Sequence, residues 1–147
     1  MLTADTNLFI HAADPDSPRH LPAREFFHGV KNEEAFVLCE LVLVELYMQL
    51  RNPAVLKKPY SAKEASGYCR ALKQNPAWRC VDYDAAISAK LWDYASSTRA
   101  GFRHIIDARL ALTLIHNGVD RFATVNVKHF HEFGFARVWN PLANSAN

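Results

Sequence analysis

Four short segments carry most of the oxygen ligands this chain could bring to a reaction. They are Asp5 after an apolar opening run, Glu45 within residues 41–50, Asp107 within residues 104–112, and Thr124-Val125-Asn126 at the end of another apolar stretch. Asp5 stands where a strand would display a carboxylate at its carboxyl edge, although Asp is equally suited to cap the helix that follows. Glu45 is surrounded in sequence by Val42, Leu43, Val44, Leu46 and Met48, which leave its helix no broad polar face. Its carboxylate is therefore expected in a low-dielectric setting, where it needs a metal, a proton or a cation such as Arg as partner. Asp107 shares a helix face with Leu110, Ala111 and Leu114 and is expected to point inward, while a place near the helix start would also suit the helix dipole. Thr124 and Asn126 end a strand at the same edge as Asp5, in a pattern that ordinary turns also use.

Three carboxylates converging on one cleft repel, which raises at least one pKa and is relieved by a hard divalent cation. Mg2+ suits an oxygen-only set of one or two carboxylates, water and a phosphate oxygen. Zinc is disfavoured by spacing, because the seven histidines form no His-x-x-x-His pair on a helix and have no Cys partner close by. His129 and His131, in Lys128-His129-Phe130-His131, are expected to face solvent or phosphate.

The elements that must position these groups alternate between strand and helix. Strands are expected at residues 2–4, 35–39, 78–83, 121–125 and 136–139. A helical turn is expected to start at Leu8, and a helix at Ser17-Pro18 to turn Leu21, Phe26, Phe27 and Val30 toward a core. Residues 41–50 read as a helix, Ser61-x-x-Glu64 as a capping box opening one to about Gln74, and Asp84 as the cap of one to about Ser97. Residues 105–116 read as a helix that Gly118 stops. This alternation implies a parallel sheet covered on both faces, whose chemistry gathers beyond the carboxyl ends of its strands.

Composition sets the outer bounds. A chain of 147 residues, half of them hydrophobic, with a net charge of +2, is expected to form one domain over residues 1–147 with no histone-like tail or heavily acidic character. No run is long and apolar enough to span a membrane, since even residues 41–50 carry Glu45. Three cysteines, an odd number without a C-x-x-C, and an opening with no leader-like pattern point to the cytoplasm with reduced thiols.

In their order along a chain of this length, four motifs resemble the PIN-domain family, and within it the VapC-type toxin ribonucleases of bacterial type II toxin–antitoxin systems. The motifs are Asp5-Thr6-Asn7, the Glu45 helix running to Arg51-Asn52-Pro53, Ile106-Asp107-Ala108-Arg109-Leu110-Ala111, and Thr124-Val125-Asn126-Val127-Lys128-His129-Phe130. The resemblance implies an α/β fold, a three-layer α/β/α sandwich around a mainly parallel sheet. It further implies an endoribonuclease that hydrolyses RNA phosphodiester bonds with Mg2+ or Mn2+. In the family the residues matching Asp5, Glu45 and Asp107 are acidic metal ligands. Asp5 and Asp107 are accordingly expected to hold the ion, with Glu45 in the same shell orienting the attacking water and Asn126 completing the catalytic set. Asn126 occupies a place often held by Asp, and His129 replaces a frequent Asp before the Phe. Thr6 and Thr124 are expected to support the ligands, and Arg99, Arg103, Lys128 and His129 to meet RNA phosphates. The implied partners are the RNA substrate, a VapB-like antitoxin reaching a basic side chain into the acidic cleft, and a second copy in a homodimer.

Two other readings remain open on the residues. A haloacid-dehalogenase-type phosphatase would need a second Asp two positions after Asp5, where Asn7 stands. A catalytically weakened PIN domain that binds RNA or protein is motivated by Asn126 and His129.

Overall fold

The computed structural model describes residues 1–143. Five short strands, β1 (Leu2–Ala4), β2 (Val37–Cys39), β3 (Arg79–Val81), β4 (Arg121–Ala123) and β5 (Arg137–Trp139), pair in parallel. β1 pairs with β4, placing Ala4 opposite Ala123, while β4 pairs with β5 and β2 with β3. A parallel bridge between Leu2 and Phe36, with the Leu2 amide donating to the Ala35 carbonyl at 2.9 Å, joins the two sets. The order across the sheet is therefore β3-β2-β1-β4-β5. Every residue of β1 and β2 is buried, as strands covered on both faces require. Thr3 tolerates this burial because its hydroxyl donates to the Val37 carbonyl at 2.6 Å.

Six helices make the crossovers: α1 (Thr6–Ala13), α2 (His20–Val30), α3 (Glu40–Leu50), α4 (Ala62–Lys73), α5 (Ala85–Ser97) and α6 (His104–His116). From β1 the chain steps outward to β2 and β3 through α1 to α4, then returns across the sheet to β4 through α5 and α6. Right-handed crossovers in opposite directions place the two helix groups on opposite faces. The packing agrees: α1 lies against α2 and α3, α3 against α4, and α5 against α6. β1 and β4 are neighbours whose crossovers depart in opposite directions, and such a reversal opens a crevice at their carboxyl ends.

Element boundaries differ from expectation where a local bond wins. α1 begins at Thr6 rather than Leu8, because Asp5 is already an extended N-cap. The Ser17-Pro18 segment is a turn, with the Ser17 carbonyl accepting from the His20 amide at 3.0 Å, and α2 starts only at His20. Pro22 lies in its first turn, where the missing N–H costs nothing. Leu21 does not join the core and is 70% exposed, while Ala23, Phe26, Phe27 and Val30 do face it. β3 and β4 are shorter than read from sequence: the Thr124 amide still donates to the Trp139 carbonyl at 2.9 Å, but the Val125 amide turns to Asn7 and the Asn126 amide to Thr124 Oγ1. Among the described residues no helix is long and apolar enough to cross a membrane.

Local chemistry fixes two helix ends as expected. Ser61 Oγ accepts from the Glu64 amide at 3.1 Å and Glu64 Oε2 from the Ser61 amide at 2.7 Å, closing the capping box of α4. After α6 the Val119 amide reaches the Leu114 carbonyl at 3.0 Å and the Gly118 amide the Ile115 carbonyl at 2.9 Å, a Schellman ending with Gly118 at φ +80°. A Cβ at Gly118 would also lie 2.8 Å from the Met1 side chain. Gly118→Ala is expected to lower stability by about 1–2 kcal/mol in urea unfolding, the cost of a left-handed L-residue.

Candidate active site

Asp5 extends β1 by one residue, its amide donating to the Ala123 carbonyl at 2.9 Å, so its side chain emerges at the crevice between β1 and β4. Although 7% exposed as a residue, its carboxylate is well supplied with donors. Oδ1 accepts from the Thr6 amide at 2.8 Å, and Oδ2 accepts from Thr124 Oγ1 at 2.6 Å and Asn7 Nδ2 at 2.7 Å. Thr124, fully buried, accepts in turn from the Asn126 amide at 3.0 Å and from Asn7 Nδ2 at 3.2 Å. Asn7 also takes the Val125 amide on its Oδ1 at 3.3 Å, which makes it the clip between the ends of β1 and β4. Burial pushes the Asp5 carboxyl above its ordinary value, opposed by the bonds from Thr124, Thr6 and Asn7 and reinforced by the charge of Asp107.

Glu45 reaches the same place from α3. Its Oε2 accepts from Thr6 Oγ1 at 3.0 Å, so Thr6 touches both acids, the first through its amide and the second through its hydroxyl. The partner is thus a hydroxyl and not the Arg considered from sequence. Burial raises the Glu45 pKa, the Thr6 bond lowers it, and the charges of Asp5 and Asp107 raise it further. Of the apolar residues around it in sequence, Val42, Leu43 and Leu46 are buried, while Val44 and Met48 turn outward and are 51% and 56% exposed.

Asp107 does not point into the core as its helix face suggested. It sits in the first turn of α6 with its side chain 30% exposed, on the wall of an open cavity of about 670 Å³. Its Oδ2 lies 3.0 Å from His104 Nδ1 and 3.3 Å from His129 Nδ1. His104 Nε2 lies 2.8 Å from Glu132 Oε1, which accepts from the Tyr94 hydroxyl at 2.8 Å. His129 therefore engages Asp107, a contact that reading it as solvent- or phosphate-facing did not anticipate. The spacing argument against a histidine cluster also fails in space, since the ligand atoms of His104, Asp107 and His129 lie within 4.8 Å of one another.

Of the residues expected to meet RNA, Arg103, Lys128 and His129 line the large cavity, whereas Arg99 is exposed and lies outside its lining. Asn126 is exposed where the chain leaves β4 and lines an adjoining cavity of about 310 Å³ with Lys128 and His129. Sequence reasoning passed over Asn7, His104 and Glu132. Asn7 carried a signal, two positions after Asp5; the other two become neighbours only through folding. Carboxylate oxygens from Asp5, Glu45 and Asp107, with charges that act on one another, are the donor chemistry a hard divalent cation takes.

A family model for the PIN domain matches residues 3–136. Ribonuclease VapC24 of Mycobacterium tuberculosis is 41% identical over 144 residues, covering 98% of this chain and 99% of its own. Among solved structures, FitAcB from Neisseria gonorrhoeae aligns with a TM-score of 0.66 at 21% identity, covering 97% of this chain and 99% of that one. VapC20 of Mycobacterium tuberculosis, a Sarcin-Ricin loop cleaving toxin, aligns with a TM-score of 0.64 at 14% identity over 83% of this chain and 87% of its own. VapBC2 from Rickettsia felis, bound to a DNA fragment from its promoter, gives 0.63 at 13% identity over 95% and 97%. At these identities the solved structures share the fold.

The raised pKa of Glu45 has a sign that stability measurements can read. Its protonated form is favoured by folding, so the stability it contributes is present below its ordinary value of 4.5 and lost as pH rises through its folded value. In EDTA, Glu45→Gln is expected to raise the melting temperature at neutral pH, and the gain is expected to shrink as pH falls toward 4.5.

Proposed function

The chain belongs to the PIN domain family, and on that premise we propose that it is a metal-dependent endoribonuclease, the toxin of a toxin–antitoxin pair, that hydrolyses RNA phosphodiester bonds. The observation that carries the reading is the meeting of Asp5 and Glu45 through Thr6 at the end of β1, supported by the charge of Asp107 acting on both. The relative named a ribonuclease, similar along nearly its whole length, supports the same reaction class.

Asp5 and Asp107, with Asn126 as a further oxygen donor, would hold Mg2+ or Mn2+. When bound, such an ion acidifies water and neutralises charge developing on phosphoryl oxygens. The chain's own residues do the positioning. Thr124, Asn7 and the Thr6 amide fix the two oxygens of Asp5, and the Thr6 hydroxyl fixes Oε2 of Glu45. Oε1 of Glu45 is then the atom to orient the attacking water and take its proton. Arg103 and Lys128, on the cavity lining, meet the phosphates. An Asn at position 126 keeps an oxygen ligand but removes a charge, which weakens any second ion.

A toxin of this class is held by an antitoxin, and the acidic crevice suits a basic side chain presented by a segment that orders on binding. Homodimerisation belongs to the same reading, and the compartment that suits three free cysteines is the reducing cytoplasm.

Purified chain is expected to cleave RNA only with Mg2+ or Mn2+, and each ion is expected to raise the melting temperature, by about 2.7 kcal/mol of added stability at a hundred times its dissociation constant. Asp5→Asn, which keeps an acceptor for its donors, and Asp107→Ala should each lower cleavage at least about 100-fold while circular dichroism stays native. Folded variants that cleave like wild type would overturn the assignment. Thr124→Val, which takes away the hydroxyl holding Asp5, is expected to weaken metal binding by about 10–100-fold, read by calorimetry.

A further inference from the structure

We propose that His104, Asp107 and His129 form a transition-metal site for an ion of the Zn2+ class, separate in donor chemistry from the acidic crevice although it shares Asp107 with it. The three ligand atoms lie within 4.8 Å of one another, and the two edges from Asp107 Oδ2 measure 3.0 Å to His104 Nδ1 and 3.3 Å to His129 Nδ1. A tetrahedral ion about 2.1 Å from each donor separates its ligands by about 3.4 Å, so these edges need little adjustment.

The surroundings of His104 favour a ligand. Its Nε2 is 2.8 Å from Glu132 Oε1, and a proton on that nitrogen leaves the Nδ1 lone pair facing the cluster. A carboxylate behind a histidine is the arrangement that fixes the tautomer and ring of a metal ligand, and Glu132 is itself held by the Tyr94 hydroxyl at 2.8 Å. The ring stacks on Phe133 with centroids 5.7 Å apart and is 13% exposed, so it is aimed before any ion arrives. The cluster opens onto the 670 Å³ cavity, which gives an ion a path in and leaves a fourth position for water or a phosphate oxygen. Arg103 and Lys128 on the same lining oppose a cation, which selects against one held only by charge. Two imidazoles and one carboxylate favour zinc over Mg2+, which prefers oxygen. On the nuclease reading, an ion here takes Asp107 from the hard-metal site, so zinc inhibits and excess Mg2+ or Mn2+ relieves it.

The test is calorimetric titration of the full chain with ZnCl2 in Mg2+-free buffer, without RNA, using a Cys80→Ser background to remove the exposed thiol. One zinc per chain is expected. His104→Gln and His129→Gln should each weaken binding at least about tenfold, and Glu132→Gln by about 10–100-fold. Asp5→Asn should keep one zinc per chain and cost less affinity than either histidine variant, because it removes a charge coupled to Asp107 but no donor. Co2+ in place of zinc needs no substitution, and intense visible bands of a tetrahedral site are expected in the parent chain. No zinc binding, no such bands, or affinity lost in Asp5→Asn and kept in His104→Gln would overturn the site and leave the three groups as an ion-pair network. A chain that binds zinc in this pattern yet cleaves no RNA supports the site while refuting the nuclease reading alone.

Discussion

A carboxylate taken out of water at the end of β1 governs the rest of the structure. An unpaired buried charge costs several kcal/mol, so the fold must bring donors to Asp5. Those donors come from both sides of one seam: the Thr6 amide and Asn7 follow β1, while Thr124 follows β4. Strands only three residues long give the seam few ladder bonds, and the Asp5–Thr124–Asn7 cluster adds a polar clasp at its carboxyl end. Thr6 extends the clasp to Glu45, tying α3 to the same point. The groups available for chemistry are thus the groups that hold the two halves of the sheet in register.

What was legible in the sequence was whatever a few neighbouring residues decide. Asp5 after an apolar run, the Ser61–Glu64 box and the Gly118 stop each rest on bonds within about one turn, and each is found where its residues stand. The strand and helix alternation followed from the same local rules, and with it the crevice at a reversal of strand order. Leu21 and Asp107 were misplaced for a shared reason. A helix face identified by periodicity says which residues lie together, not whether a neighbouring element covers them, and nothing covers Leu21. The meeting of His104 with His129 was illegible for a stronger reason: spacing rules for metal ligands see pairs on one element, whereas these two stand on α6 and on the turn after β4.

The two ends of the acidic site consequently differ in kind. Asp5 is buried and Glu45 half-buried; hydroxyl, amide and backbone donors hold Asp5 and a hydroxyl holds Glu45, and such donors orient a carboxylate without cancelling its charge. Asp107 is partly solvated and faces two imidazoles, groups that can share a proton or an ion with it. A hard cation drawn to Asp5 and Glu45 would also need Asp107, in competition with His104 and His129. His129 brings no negative charge to the cleft and presents a nitrogen to Asp107. Charge sets how strongly this cleft attracts a cation, while the nitrogen beside Asp107 sets which cations it can tell apart.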